Sequence, residues 1–365
     1  MNHNFKHCLM GVALLAASGA ASADCASALS AYSSPSAPSS GNGSPSYILA
    51  NHPECFGGSP TTSQVQINST SFQQVSAISG ALASRFMDLS SGPYARLGSK
   101  SMAAGGKGAS WNAWGNLSGN DTRQSYDAAA AGGAAGITRN DSTILTTVLG
   151  ADYALSPVMA VGISVAFDRG DITGSNGANQ NISKGYVIAP YFGMQINKEF
   201  ALDASAGVGE GIIDMTGNAS TRADRWFAAA NLSYNQWMDK IQLTGKLGYL
   251  HGEEDYGNSQ VSGVYQPGTA ARNKLDQMRL GLQAGYWMNG VMPYAGLAYS
   301  SDMHRSTTQI GATNDLIGKN AFVWSLGANF FSSQSGVTGG IVYNQEEDRT
   351  NQRNNNLMAN ISLRF

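Results

Sequence analysis

From Trp111 onward the chain is built of twelve stretches in which apolar and polar residues alternate. They centre on residues 111–117, 144–155, 158–167, 185–196, 200–209, 225–237, 241–250, 275–287, 291–300, 321–331 and 336–344, and on the closing LMANISLRF. Period two is the signature of a strand with unlike faces, and each stretch approaches the ~10 residues that a tilted strand needs to cross a membrane. No other segment carries the run of roughly 18 apolar residues that a spanning helix needs, so a membrane form of this chain has to be a barrel.

The spacing between stretches is as restrictive as their pattern. The connections SP, NKE, MDK, MNG and SSQSG are short, and those between stretches one and two, three and four, five and six, seven and eight, nine and ten, and eleven and twelve are long. Short periplasmic turns alternating with long outer loops are what an antiparallel up-and-down transmembrane β-barrel shows, whereas a soluble sandwich has no reason to sort its loops. The expected fold is therefore all-β, a barrel of about 12 strands over residues 103–365.

Charge decides which face meets lipid. An arginine on lipid at mid-depth costs about 2–4 kcal/mol, so Arg279 is expected in the lumen, and so are Lys246 and Asn329. In the third stretch Met159, Val161, Ile163, Val165 and Phe167 form the outer face, against Ala160, Gly162, Ser164 and Ala166 inside. Such small inward residues predict room for an occupant. In the last stretch Leu357, Ala359, Ile361, Leu363 and Phe365 share the apolar face.

Residues before the barrel read differently. Residues 1–23 have the polar start, short apolar core and small-residue cleavage site of a secretory signal peptide, cut before Asp24. Asp24 stands where lipid attachment to Cys25 would need a small residue. Residues 24–70 are rich in Ser, Pro, Gly and Asn and hold too few large apolar residues for a core. Cys25 and Cys55 are the cysteines of the mature chain, and export to an oxidising compartment favours a disulfide between them over two independent thiols. Over residues 71–89, Phe72, Val75, Ile78, Leu82, Phe86 and Leu89 recur at helical spacing among Ala, Ser and Gly, which predicts a slim helix able to occupy a narrow pore.

Few residues suggest chemistry. His251, Glu253, Glu254 and Asp255 could ligate a divalent cation, but a solvated acidic loop, or one bridging lipopolysaccharide, is the simpler reading. Arg169-Gly170-Asp171 is an RGD tripeptide at the rim of the third stretch and offers an adhesion site for a host surface receptor, although Gly and Asp are also ordinary turn residues. Lys107 lies in a glycine-rich stretch that lacks the spacing of a phosphate-binding loop, and Gly207, Gly209 and Gly211 are read as small residues beside the pore helix. Asp152, Asp203 and Asp276 have roughly inward parity. No catalytic, cofactor or metal site is expected, and a net charge of -2 argues against nucleic acid.

Signal peptide, short exported segment, slim helix and C-terminal barrel together resemble the monomeric autotransporters of type V secretion. LGADYALSPVMAVGISVAF (Leu149 to Phe167) is similar to that family's second hairpin, and ISLRF to its terminal outer-membrane signature. The resemblance covers residues 71–365 and implies a monomer in the Gram-negative outer membrane, in contact with lipid and lipopolysaccharide. It further implies that the helix threads the pore, that the N-terminal segment reaches the cell surface, and that the barrel-assembly machinery reads the terminal strand through Ile361, Leu363 and Phe365. The exported segment departs from the family in being short, without the solenoid repeats or catalytic motifs of long passengers. Two other readings stay open: a surface adhesin acting through long outer loops, and a porin-like barrel that keeps residues 24–70 in the periplasm.

Overall fold

The computed structural model describes residues 111–127, 137–156, 158–174, 180–215, 219–258, 260–261, 263–265, 270–307, 317–332 and 336–364. The signal peptide, the Ser/Pro segment with Cys25 and Cys55, the helix expected at 71–89 and Phe365 lie outside the described residues.

Twelve long strands close into one antiparallel sheet. They are β1 (Trp111–Asp127), β2 (Ile137–Ser156), β3 (Met159–Thr173), β4 (Gln180–Gln195), β5 (Phe200–Met215), β6 (Ala219–Met238), β7 (Ile241–Tyr256), β10 (Ala271–Tyr286), β11 (Val291–Thr307), β12 (Asn320–Ser332), β13 (Val337–Glu347) and β14 (Gln352–Arg364). Two further strands, β8 (Gln260–Val261) and β9 (Val264–Tyr265), form a small hairpin between β7 and β10 that pairs back onto the start of β6. Pairing of β1 with β14, from Asn112↔Arg364 to Gln124↔Gln352, closes the barrel and leaves no open edge. All twelve alternating stretches of the sequence are strands of this wall.

Alternation becomes two surfaces. The outer face carries large apolar residues such as Leu149, Ile163, Leu282, Leu297, Leu326, Ile341 and Leu357, all exposed. Aromatic rings frame this band at two heights: Trp111, Tyr153, Phe200, Tyr234, Tyr286 and Phe330 near the short turns, and Phe167, Tyr186, Trp226, Tyr249, Tyr299 and Phe322 toward the other rim. Two aromatic girdles flanking an apolar band mark the two interfaces of a membrane, where an amphipathic ring meets both lipid and water.

The expected long outer connections prove to be mostly strand. β2 and β6 run for 20 residues, well beyond the ~10 that cross a membrane. Only residues 216–218 separate β5 from β6, and only 348–351 separate β13 from β14. The wall therefore continues past the outer girdle as a paired, charged extension. Polar composition concealed this from the sequence, because above the girdle both faces of a strand meet water and alternation loses its contrast. At the opposite rim the turns are tight, with Asp239 (φ 52°), Asn289 (φ 47°) and Gly290 (φ 102°) taking the left-handed conformation that such hairpins require.

One irregularity matters for the lumen. Asp276 pairs with His304 but Gln277 pairs with Asp302, so Met303 is an extra residue in β11. A bulge of this kind inverts the alternation beyond it, and both Asp302 and Arg305 turn inward.

Candidate translocation lumen

The lumen has two unlike halves. Facing β1–β6 it is packed: Trp114, Val148, Ala160, Ala166, Val187, Ala189, Tyr191, Phe227 and Ala229 form one buried apolar cluster. Trp114 Nε1 donates to Tyr191 Oη at 2.6 Å, and Tyr191 Oη donates to Asp152 Oδ2 at 3.1 Å. Asn112 Nδ2 donates to the same carboxylate at 3.2 Å. The four polar groups of this hydrogen-bonded series, on Trp114, Tyr191, Asp152 and Asn112, are thus partnered, as a site away from water demands.

Small inward residues make the packing possible, and this corrects two readings of the sequence. A Cβ on Gly150 would stand 2.4 Å from the Trp114 ring, and one on Gly162 2.3 Å from Tyr191. The room left by the third stretch is thus taken up by side chains of neighbouring strands. Gly207 likewise lies against Phe227, and Gly211 against the Arg225 guanidinium, so these two glycines accommodate wall residues.

Facing β6, β7 and β10–β14 the lumen is open, with a cavity of about 240 Å³ in which charged and amide side chains stand among aliphatic ones. Lys246, Arg279 and Asn329 all line it. Lys246 Nζ donates to Gln283 Oε1 at 2.8 Å, and Asn231 Nδ2 donates to Asp203 Oδ1 at 2.7 Å. In the ladder Arg279 pairs with Gly248 and Lys246 with Gly281, and a Cβ on Gly248 would stand 2.6 Å from Asn231 Oδ1.

Toward the outer rim the interior is crossed by two buried ionic clusters. Arg225 on β6 meets Asp168 of β3 at 2.8 Å and Glu254 of β7 at 2.9 Å, and Tyr256 donates to Glu254. Arg349, in the β13–β14 turn, meets Asp302 at 2.8 Å and Glu346 at 2.6 Å, and Arg305 meets Asp302 at 2.9 Å. Both arginines also donate to the carbonyl of Gly318, at 2.8 and 2.9 Å, which draws residues 317–319 in over the mouth with Ile317 buried. Burial alone would lower the pKa of the Arg349 guanidinium, but Glu346 and Asp302 hold it above the usual arginine value. Parity alone could have found Arg225, since Trp226, Ala228 and Ala230 alternate with it on the outer face. Nothing in the sequence announced the Arg305–Asp302 pair, which depends on the bulge.

The remaining candidates fall as follows. Arg169-Gly170-Asp171 is regular β3 strand, not a turn, laddered to Thr143–Leu145 and Ile182–Lys184. Gly170 points inward and is buried, while Arg169 and Asp171 share the outer face, 3.7 Å apart. His251 to Asp255 is likewise the end of β7 and not a solvated loop: Glu254 faces Arg225, and Glu253 meets Lys274 at 3.0 Å and Arg272 at 3.1 Å. Among the described residues no group of His, Cys, Asp and Glu is arranged to hold a metal ion. Asp276, expected inside, is outside, against His251 at 2.7 Å and within hydrogen-bond reach of Tyr249. Ile361 and Leu363 are exposed on the outer face of β14 near the short-turn rim.

Comparison with known proteins agrees with this architecture. The translocator domain of the autotransporter NalP from Neisseria meningitidis superposes with a TM-score of 0.57 at 12% identity, over 71% of this chain and 90% of that one. The beta domain of the Bordetella autotransporter BrkA superposes with a TM-score of 0.53 at 15% identity, over 70% of this chain and 100% of that one. No curated protein sequence matches the chain. The sequence profile of the autotransporter beta-domain matches residues 91–344, and the chain belongs to that family.

Proposed function

We propose that this outer-membrane barrel of type V secretion carries its own N-terminal segment, residues 24–70, through the lumen and displays it at the cell surface. One observation carries the reading. β1 begins at the short-turn rim, where Asn112 pairs with Arg364, so the residues that lead into the barrel join it at the rim that faces the periplasm. From there the lumen leads to the surface, and its open half includes amides, hydroxyls and cations that suit a polar chain. The barrel acts as a passage, in keeping with a family of secretion barrels. Lipid and lipopolysaccharide surround a single copy, without nucleic acid.

An epitope tag placed within Ser39–Ser44 tests display. Protease added to intact cells is expected to remove the tag while the barrel stays whole. Protection of the tag would overturn the proposal and favour a porin-like barrel whose leading segment stays in the periplasm. On the adhesin reading, the outer extensions of the wall are the contact surface for a host receptor, with Arg169 and Asp171 exposed on it; unchanged host-cell binding by R169A/D171A removes that role for the tripeptide.

The assembly machinery is proposed to read the outward Ile361 and Leu363 together with Phe365. Deletion of Phe365 is expected to reduce folded barrel in membranes far more than deletion of one residue from the Ser/Pro segment. Equal amounts of folded barrel for the two deletions would exclude that role.

A further inference from the structure

The inward arginines near the outer rim are ion-paired: Arg225 lies between Asp168 and Glu254, and Arg305 and Arg349 share Asp302. Arg279 differs. Among the described residues it makes no ion pair or hydrogen bond, and its side chain is exposed into the lumenal cavity. The carboxylate whose field reaches it, Glu346, is already held by Arg349 at 2.6 Å. Lys246 lines the same cavity, its ammonium steadied by Gln283, while the cavity's carboxylate, Asp203, is occupied by Asn231. Asn329, Asn344 and Asn360 add amide groups on the facing strands.

A guanidinium presents a rigid fork of donors that matches an oxyanion in two-point contact, and low-dielectric walls concentrate the field of a charge in a cleft. We propose that the open half of the lumen is an anion site, centred on Arg279 with Lys246 beside it, that takes a carboxylate or a small inorganic oxyanion. The site does not depend on whether residues 24–70 are displayed. Ion flow through the barrel then favours anions.

The test uses the purified full chain in planar bilayers under a potassium chloride gradient. Wild type is expected to prefer chloride. R279Q should lower the chloride-to-potassium permeability ratio by about tenfold, because one unit charge a few ångströms from the path acts on the two ions with opposite sign. R222Q, on the outer face, should leave it unchanged. Cation preference in wild type, or equal ratios for wild type and R279Q, overturns the proposal.

A barrel that does not conduct is decided by its thermal unfolding midpoint in sulfate against chloride at equal ionic strength, since a ligand of the folded form raises that midpoint. A sulfate-dependent rise in wild type that R279Q lacks marks a free anion as the ligand. A rise absent from wild type, but appearing in E54Q or D88N and abolished again by R279Q, marks a carboxylate of this chain's own leading segment. The same response in wild type and R279Q, or no response in any variant, overturns the proposal.

Discussion

Arg225 shows how much a single inward residue is asked to do. Only 2% of its side chain is exposed, and its two carboxylates come from β7, which pairs with β6 at this position, and from β3, three strands along the wall. Each enclosed ion gives up several kcal/mol of hydration, and removal of one partner leaves the others uncompensated at a cost of about 3–5 kcal/mol. R225L is therefore expected to lower barrel stability by about 3–5 kcal/mol. Urea unfolding from lipid vesicles, followed by tryptophan fluorescence, measures it; a loss within the ~1 kcal/mol of an exposed pair would show that water reaches the cluster. That Arg225 faces inward was legible from its parity. Its partners were not, because alternation fixes a face but does not say which strands oppose one another across a closed sheet. The glycine slots were misread for the same reason: a small residue signals space, and only the assembled wall shows that Tyr191 and Phe227 fill it.

At the scale of an element, β11 departs furthest from what its sequence suggests. Up to Ser301 it alternates as a simple strand, and then Met303 interrupts the register with β10. Without the bulge, Asp302 and Arg305 would lie on opposite faces, as residues three apart in a strand do. Deletion of Met303 is expected to turn Arg305 outward and release residues 317–319 from the mouth. Faster tryptic cleavage at Lys319 in the folded barrel would register the change; an unaltered rate would mean that Arg349 alone holds the segment. The strand cores were legible because lipid on one side and lumen on the other enforce period two. Their outer extensions were not, since there the pairing rests on backbone hydrogen bonds and exposed ion pairs such as Lys184–Asp214 at 3.3 Å, which leave no apolar stripe to read.

Between its two girdles the molecule is a protein turned outside in, with large apolar side chains such as Ile163 and Leu282 exposed and Lys246 and Arg279 facing the lumen, and that inversion was the part of the fold most plainly written in the sequence. Its lumen is lopsided, half packed and half open, and this was hidden, because both halves are made of the same alternating small and polar residues. Every neighbouring pair of wall strands but one is also adjacent along the chain, apart from the small β8–β9 hairpin between β7 and β10. The exception is the seam of β1 and β14. There Ser362 donates to Asn112 at 2.9 Å, Asn356 to Asn120 at 2.8 Å, Thr122 to Asn354 at 3.1 Å and Gln124 to Gln352 at 3.0 Å, joining residues up to 250 positions apart. In kinetic terms the wall is a series of quick local steps followed by one distant meeting, for which the loop-closure entropy of the entire barrel has to be met at once. Side-chain amides suit that last step, because they can exchange water for one another one rung at a time as the two margins come together.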